Sequence, residues 1–241
     1  MSNPNESQSV AEALRTQVAV VIPCYNAGPR VHRVVERVLS LIGHVVVVND
    51  GSTDGATQTL HALPIRLITF AENRGKGFAL LEGFRAALEL PDISCVAVVD
   101  ADGQHDPAEI PSLYHAWATQ HADLAIGARR FDRRSVPWRS RFGNRLTVAV
   151  TAWLLRQRFP DTQSGFRLHS RPFLEDVIAT IPGGRYETQM AILVKAIRER
   201  RGIVSVPIRT IYEEGNPSSH FRPVRDSFRV YRALFRAFLR P

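Results

Sequence analysis

HVVVVNDGSTDG, residues 44–55, is a run of four valines that gives way at once to polar and turn-forming residues. Consecutive valines are typical of a strand buried on both faces, and such strands occur in parallel sheets covered by helices. Similar apolar runs recur at 18–22, 65–70, 95–99 and 123–127. We therefore predict five strands in the first half of the chain.

Helical patterns occupy the intervals between these strands, near residues 29–41, 54–62, 76–89 and 107–119. Strands that alternate with helices predict a Rossmann-like, mostly parallel α/β sheet, flanked by helices and joined by right-handed crossovers. Sheets of this class bind their ligands beyond the carboxyl ends of the strands. The candidate site therefore lies where the apolar runs end.

The second half of the chain begins with a basic, aromatic segment and contains a turn-rich DTQSGFR at 161–167. Its predicted elements are helices near 141–157, 171–180 and 186–200 and a strand at 202–212. No linker separates the two halves, so we expect them to pack as one domain.

The charge balance favours anionic partners, because the 241 residues include 31 basic and 23 acidic side chains. A solvated basic surface is the plain alternative. Cys24 and Cys95 lie inside apolar runs, as small buried side chains do in a reducing compartment. Residues 1–17 lack the apolar core of a signal peptide, and we expect them to be disordered. The longest apolar run, 148–155, is too short to span a bilayer, which predicts a cytoplasmic protein.

Asp50, Gly51 and Ser52 follow the second strand and place a carboxylate, backbone N–H groups and a hydroxyl at one point. This combination of donors and acceptors suits a ribose or the edge of a base. The same residues also fit a plain turn, since Thr53 or Asp54 can cap the following helix.

Asp100 and Asp102 follow the fourth strand, in the stretch VVDADGQHDP at 98–107. Alternate residues of an extended segment share a face, so both carboxylates and Gln104 can converge on one ion. Hard divalent cations prefer such oxygen ligands, and a cation would relieve the repulsion between the two carboxylates. His105 is either a further ligand or a packing residue.

ENRGKGFALLEG, residues 72–83, contains Gly75 and Gly77 at the spacing that begins a dinucleotide-binding fingerprint, but the third glycine is missing. A loop in which Arg74 and Lys76 face a diphosphate at a helix N-terminus is the better interpretation. A basic surface loop is the alternative.

The final segment, 222–241, has the pattern of an amphipathic helix at a membrane surface. Arginines recur on one side and aromatic residues on another: Arg225, Arg229, Arg232, Arg236 and Arg240, and Phe228, Tyr231, Phe235 and Phe238. This pattern predicts peripheral contact with the cytoplasmic face of a membrane. Packing onto the domain, or docking onto a membrane-protein partner, would produce the same pattern.

Together these stretches resemble the family-two inverting glycosyltransferases of GT-A fold, and within them the polyprenyl-phosphate sugar transferases such as dolichyl-phosphate mannosyltransferase. The matching segments, in chain order, are IPCYN, VVNDGSTDG, NRGKGFALLEGF, VVDADGQHDP, AIGARR, SRFGNRLT, DTQSGFR and VPIRTIY with GNPSSHFR. The resemblance implies a glycosyltransferase domain over 18–221, with a nucleotide-sugar half (18–127) and an acceptor half (128–221).

The resemblance also implies a GDP- or UDP-linked sugar as donor and Mg²⁺ or Mn²⁺ as cofactor. The metal ligands would be Asp100, Asp102 and Gln104. The residues that contact the nucleotide sugar would be Pro23, Tyr25, Asn26, Asp50, Gly51, Ser52, Arg74, Lys76, Ala101, Ser219 and Arg222, with His220 in the same closing loop. The catalytic candidates are Asp102, Arg129, Arg141 and Glu187.

The acceptor is expected to be a lipid phosphate, received by Arg129 or Arg130 with Arg141 and Asn144. A phosphate monoester is largely ionised at pH 7, so its attack needs no general base. A hydroxyl acceptor of a lipid or polysaccharide precursor is the alternative, with Glu187 as the first candidate base.

Two departures from the family pattern affect these assignments. Family members commonly carry an acid where this chain has Ala27, and often a glutamate where it has Gln189. Two other classes fit less well. A nucleotidyltransferase would need a different glycine-rich loop after the first strand. A nucleic-acid-binding protein would need basic and aromatic residues on a known module, and we expect no nucleic-acid partner.

Overall fold

The computed structural model describes residues 4–129, 161–185 and 187–209. The helices and strands in these ranges are α1 (Pro4–Thr16), β1 (Val18–Cys24), α2 (Arg30–Leu39), β2 (His44–Asn49), β3 (Arg66–Thr69), α3 (Lys76–Leu88), β4 (Cys95–Val98), α4 (Ile110–Thr119), β5 (Leu124–Arg129), β6 (Arg167–Ser170), α5 (Arg171–Thr180), α6 (Glu187–Arg198) and β7 (Ile203–Ile208). Short 3₁₀ helices cover Gln58–Ala62 and Pro107–Glu109.

The strands form one sheet in the order β3-β2-β1-β4-β6-β5-β7. Neighbouring strands are parallel except around β6, which runs antiparallel to both β4 and β5. The predicted mostly parallel sheet is therefore confirmed. The antiparallel strand β6 was not predicted, and it joins the second half of the chain to the sheet of the first.

Helices cover both faces of the sheet. Alternate residues of each central strand point to opposite faces, so each strand contributes to two buried clusters. Ala19 and Val21 of β1 belong to a buried cluster that includes residues of α3, α5 and α6. Val18, Val20 and Ile22 belong to a second cluster, formed with α1, α2 and α4. The continuous valine runs are therefore explained by burial on both sides.

Two segments differ from their predictions. The N-terminal segment, expected to be disordered, forms α1, because Leu14 is buried and Val10 packs against the same cluster. The helix expected over 54–62 is reduced to the five-residue 3₁₀ turn at its end. No helix in the described ranges is long and apolar enough to cross a membrane. The helices predicted near 141–157 and 222–241 lie outside these ranges.

Candidate active site

The loops that follow β1 and β2 are joined by side-chain hydrogen bonds at the carboxyl edge of the sheet. The Asn26 N–H donates to Ser52 Oγ (3.0 Å), and Asn26 Oδ1 accepts from the Thr53 N–H (2.8 Å). The Gly28 N–H donates to Asp54 Oδ2 (2.8 Å). These bonds bring together the two loops that carry most of the predicted nucleotide contacts.

Asp50 anchors the loop before α3. Its buried carboxylate accepts hydrogen bonds from the Arg74 N–H (2.7 Å), the Gly75 N–H (2.9 Å) and Asn73 Nδ2 (3.0 Å). Burial raises the pKa of Asp50, although the two backbone N–H groups oppose this rise. The structure thus gives Asp50 a positioning role, and its contact with a nucleoside stays a prediction.

Gly51 has a positive φ of 69°, and a Cβ there would lie 2.5 Å from the carbonyl carbon of Glu72. Gly28 has a similar φ of 61°, but nothing lies within 4 Å of its Cβ position. We expect Gly28→Ala to cost about 1 kcal/mol of backbone strain. Gly51→Ala should cost about 1–2 kcal/mol more, because backbone must also shift. Denaturant unfolding of both variants measures the difference, and equal losses would contradict the close approach of Gly51 to the backbone of Glu72.

The start of α3 differs from the expected phosphate-binding helix N-terminus. The N–H groups of Gly77 (2.9 Å) and Phe78 (3.3 Å) both donate to the carbonyl oxygen of Gly184. The Arg74 guanidinium lies 5.0 Å from the ring centroids of both Phe70 and Phe78. The Gly184 carbonyl already accepts from these two N–H groups, so we expect the Lys76 ammonium, rather than these N–H groups, to face a diphosphate. The contact of Arg74 with a diphosphate stays a prediction.

Asp100 lies at the centre of the site. Its Oδ1 accepts from Lys76 Nζ (2.6 Å), and a Cβ on Gly165 would lie 2.5 Å from its Oδ2. Burial is the largest single influence on Asp100 and opposes its ionisation, but the charge and hydrogen bond of Lys76, together with other nearby charges, hold the pKa of Asp100 below its usual value. Burial lowers the pKa of His105 to about 4, and its ring stacks on Phe166. His105 therefore packs as a neutral side chain beside the aspartate.

Asp102 is less well compensated than its neighbour. Burial first, and then the charge of Asp100, raise the pKa of Asp102 above its usual value. The Gln104 N–H (3.0 Å) and the charges of Lys76 and Arg30 oppose this rise. A bound cation would stabilise the charged form of this half-buried carboxylate.

Helix α2 supports the aspartate loop, residues 100–106, along one face. Arg37 Nη2 lies 2.6 Å from Asp106 Oδ1, and a Cβ on Gly103 would lie 3.9 Å from Val34 Cγ2. Arg30 lies one turn before Val34 on the same face, and its charge acts on Asp102. Sequence reasoning missed Arg30, although its helical spacing from Arg37 was a usable signal.

A divalent cation fits the aspartate pair, because two adjacent carboxylates are hard oxygen donors and one of them carries a raised pKa. No group of three or more His, Cys, Asp or Glu side chains converges on a metal position in the described part of the chain. Mg²⁺ commonly takes only one or two carboxylates and completes its shell with phosphate and water. The Gln104 side chain as a ligand stays a prediction.

Arg129 ends β5 in a two-point ion pair with Asp161, which is fully buried. Arg129 Nε and Nη2 lie 2.6 and 3.1 Å from the Asp161 oxygens. The charge of Arg129 also lowers the pKa of Asp100, so the guanidinium lies near the aspartate pair. Asp161 thus positions Arg129, which is the predicted acceptor arginine that the structure describes. From the sequence, Asp161 was assigned only to the turn-rich segment DTQSGFR.

Glu187 begins α6, and its Oε2 is buried with no hydrogen-bond partner among the described residues. A Cβ on Gly184 would lie 2.9 Å from Glu187 Oε1, so the carboxylate lies beside the turn that caps α3. At Gln189, the position where a glutamate was expected, the backbone oxygen accepts from Arg167 Nη1 (2.7 Å). The base role of Glu187 stays a prediction.

The remaining predicted contacts divide between described and undescribed residues. Pro23 and Ala101 are buried at the same edge of the sheet, and Tyr25 is half-buried there. Six predicted acceptor and donor residues lie outside the described ranges: Arg130, Arg141, Asn144, Ser219, His220 and Arg222.

The family follows from the sequence match. Residues 19–177 match the model of glycosyl transferase family 2. The chain belongs to this family. The resemblance and the enzyme class expected from the motifs are therefore confirmed.

Two curated relatives extend this glycosyltransferase match over most of the chain. Polyprenol monophosphomannose synthase of Mycolicibacterium smegmatis is 32% identical over 201 residues, which cover 78% of this chain and 75% of the relative. UDP-N-acetylglucosamine–dolichyl-phosphate N-acetylglucosaminyltransferase of Methanococcus voltae is 27% identical over 219 residues, which cover 82% and 86%.

A solved structure confirms the fold of this glycosyltransferase. Glucosyl-3-phosphoglycerate synthase from Mycobacterium tuberculosis, in complex with Mn²⁺, UDP and glucosyl-3-phosphoglycerate, has a TM-score of 0.73 at 19% identity. The match covers 100% of this chain and 87% of that one. The GT-A fold is therefore confirmed.

The geometry indicates how this glycosyltransferase can stabilise a leaving group. Transfer of a sugar from a nucleoside diphosphate would leave negative charge on the departing diphosphate, and fixed positive charges beside it would lower the barrier. Lys76 supplies such a charge next to Asp100. A divalent cation held by Asp100 and Asp102 would supply Lewis-acid stabilisation of the same oxygens.

Proposed function

We propose that this glycosyltransferase moves a sugar, with inversion, from a GDP- or UDP-linked donor to a polyprenyl phosphate, with Mg²⁺ or Mn²⁺ at Asp100 and Asp102. The observation that carries the proposal is the pair of adjacent carboxylates beside the Lys76 ammonium at the carboxyl edge of the sheet. A metal-bound diphosphate matches this arrangement of alternating charges.

The donor side of the proposal rests on the joined loops after β1 and β2. Asn26 and Ser52 hold these loops together, and Asp50 fixes the loop that presents Lys76. A nucleoside would lie against Tyr25 and this edge, with its diphosphate between Lys76 and Asp102. The family acid is absent at Ala27, so the ribose would depend more on the Gly51 and Ser52 turn.

The acceptor side rests on Arg129. Asp161 accepts two of its N–H groups, which fixes the guanidinium plane near the aspartate pair. Arginine recognises phosphate through planar, paired hydrogen bonds, so a fixed guanidinium suits a phosphate nucleophile. The names of the two relatives, a polyprenol monophosphomannose synthase and a dolichyl-phosphate N-acetylglucosaminyltransferase, support the same class of acceptor.

Transfer to a hydroxyl group is the second candidate, because Glu187 Oε2 is buried and unpartnered among the described residues. A carboxylate in that state can accept a proton from an attacking hydroxyl. The two candidates differ in whether the acceptor must carry a phosphate.

We also propose peripheral association with the cytoplasmic face of a membrane, where a lipid acceptor would lie. The amphipathic pattern of 222–241 supports this location, and docking of that segment onto a membrane protein is the alternative partner. Flotation with anionic and neutral liposomes, with and without residues 222–241, tests the membrane contact. Binding that is unaffected by this truncation would contradict the role of the segment.

The test of function is incubation with Mn²⁺, polyprenyl phosphate and a panel of radiolabelled GDP- and UDP-sugars, followed by organic extraction. We expect an extracted, acid-labile glycosyl phosphate whose anomeric configuration is opposite to that of the donor. Free polyprenol, which has a hydroxyl but no phosphate, should give no product. Product from polyprenol would favour the hydroxyl candidate, and donor hydrolysis without lipid product would overturn the proposal.

A further inference from the structure

The Lys76 ammonium binds a carboxylate that would also hold the proposed metal. Lys76 Nζ lies 2.6 Å from Asp100 Oδ1, and the two side chains are only 19% and 21% exposed. A charge-assisted hydrogen bond in such a partly enclosed site is stronger than an exposed ion pair. A cation that approaches Asp100 must therefore displace the ammonium or share the carboxylate with it.

We propose that Lys76 is the resident counter-ion of Asp100 in the metal-free enzyme, and that it transfers to the diphosphate when metal and donor bind together. Lys76 then competes with the metal when no donor is present and cooperates with it when the donor is bound. This inference rests on the proposed function, because it requires a nucleoside diphosphate and a metal in the same site.

The choice of lysine suits an exchange of partners. An arginine fork would hold a carboxylate at two points, whereas an ammonium on a flexible stem can pass from one oxygen to another. The chain has only two lysines among its 31 basic residues, Lys76 and Lys195. Lys195 pairs with Glu199, the residue directly after the end of α6, which makes it a matched control within the chain.

The loop around Lys76 is fixed, so the exchange involves the side chain rather than the backbone. Asp50 holds the N–H groups of Arg74 and Gly75, and the Gly184 carbonyl holds those of Gly77 and Phe78. Lys76 lies between these two anchors. Its ammonium can therefore change partner while its Cα stays in place.

The energetic consequence is reciprocal coupling between metal and nucleotide. A displaced ammonium loses its partner unless another anion accepts it, and the donor's diphosphate is such an anion. UDP or GDP should therefore tighten Mn²⁺ binding, by a factor within the range of about 5–150 that is usual for coupled sites. Lys76 accounts for part of this factor.

A first experiment follows the two lysines directly in the full-length chain. Lysine labelled with ¹³C at Cε gives one signal for each side chain, assigned with Lys195→Met. We expect the Lys76 signal to shift when Mg²⁺ and UDP or GDP are added together, while the Lys195 signal stays in place. A Lys76 signal that does not move when both ligands are bound overturns the exchange.

A second experiment measures free Mn²⁺ by electron paramagnetic resonance, without nucleotide, for the wild type, Lys76→Met and Lys195→Met. We expect Lys76→Met to bind Mn²⁺ on the order of tenfold more tightly, with a smaller further gain from nucleotide. Lys195→Met should match the wild type. Unchanged or weaker Mn²⁺ binding by a folded Lys76→Met protein, verified by circular dichroism, overturns the competition.

The same titrations separate the two proposals. Equal Mn²⁺ affinities of the wild type and Lys76→Met contradict this inference alone. A wild type that binds no Mn²⁺ even with UDP and GDP contradicts the metal of the proposed function, and the inference fails with it.

Discussion

Asp102→Asn should reduce turnover by about a thousandfold without destabilising the fold. Loss of a metal that stabilises the leaving diphosphate removes several kcal/mol of transition-state stabilisation, and each 1.36 kcal/mol is a factor of about ten in rate. The measurement is kcat for formation of the lipid-linked sugar over a range of Mn²⁺ concentrations. Excess Mn²⁺ should not restore the rate, because the missing group is a ligand.

The stability of the same variant distinguishes a functional carboxylate from a structural one. Asn keeps the oxygen that accepts from the Gln104 N–H, and it removes a charge that is partly buried beside Asp100. The melting temperature of the metal-free variant should therefore be unchanged or higher. This is the usual result when a replaced residue serves function at a cost in stability.

A remote aspartate is the control for this prediction. Asp92 is exposed in a turn with a φ of 59°, a conformation that asparagine tolerates well. Asp92→Asn should leave both kcat and the melting temperature unchanged. Retained metal-dependent turnover in Asp102→Asn would show that Asp102 is not the metal ligand, and a clear loss of stability would show that the carboxylate has a structural role.

The strands of the first half of the chain were predictable because their signals are local. The valine run of β2 shows burial on both faces directly, and the polar residues at its end show where the strand stops. The Asp100 and Asp102 pair was predictable for a related reason: two carboxylates at the end of a buried strand are costly unless a partner is present. The structure supports that reasoning, since burial and Asp100 together raise the pKa of Asp102.

Strand β6 was not predictable, because its residues do not look apolar. Arg167, Leu168, His169 and Ser170 are all buried, although three of them are polar. His169 is held as a neutral side chain, with burial lowering its pKa to about 3, and its ring packs against Phe84. A strand stabilised by buried polar side chains gives no periodic hydrophobic signal.

Contacts between segments distant in sequence could not be predicted from local patterns either. The cap on α3 comes from the Gly184 carbonyl, more than a hundred residues further along the chain, and no local pattern near Gly77 indicates it. The pair of Arg129 and Asp161 spans the undescribed segment and was likewise not predicted. Both contacts depend on the insertion of β6 between β4 and β5, which brings the second half of the chain against the aspartate loop.

Arg167→Met should be strongly destabilising. Arg167 is 1% exposed and donates to three backbone carbonyl oxygens, of Ser164 (2.9 Å), Gln189 (2.7 Å) and Thr162 (2.8 Å). Methionine fills part of the volume but leaves the Thr162 and Ser164 carbonyl oxygens without this donor, and the Gln189 carbonyl, which lies within α6, keeps only its helical hydrogen bond. Each unsatisfied buried acceptor costs roughly 1–3 kcal/mol, so a total loss of about 3–5 kcal/mol is expected.

Arg171→Met is the matched comparison, since Arg171 also donates to two backbone oxygens, of Leu88 (2.9 Å) and Ile93 (3.2 Å). Its side chain is 36% exposed, so water can replace the lost donors, and the expected loss is about 1 kcal/mol. Denaturant unfolding should therefore separate the two variants by about 2–4 kcal/mol. Equal losses would mean that water reaches the Arg167 pocket. The guanidinium would then not be the group that fixes residues 162–164, and with them Asp161 and Arg129, against α6.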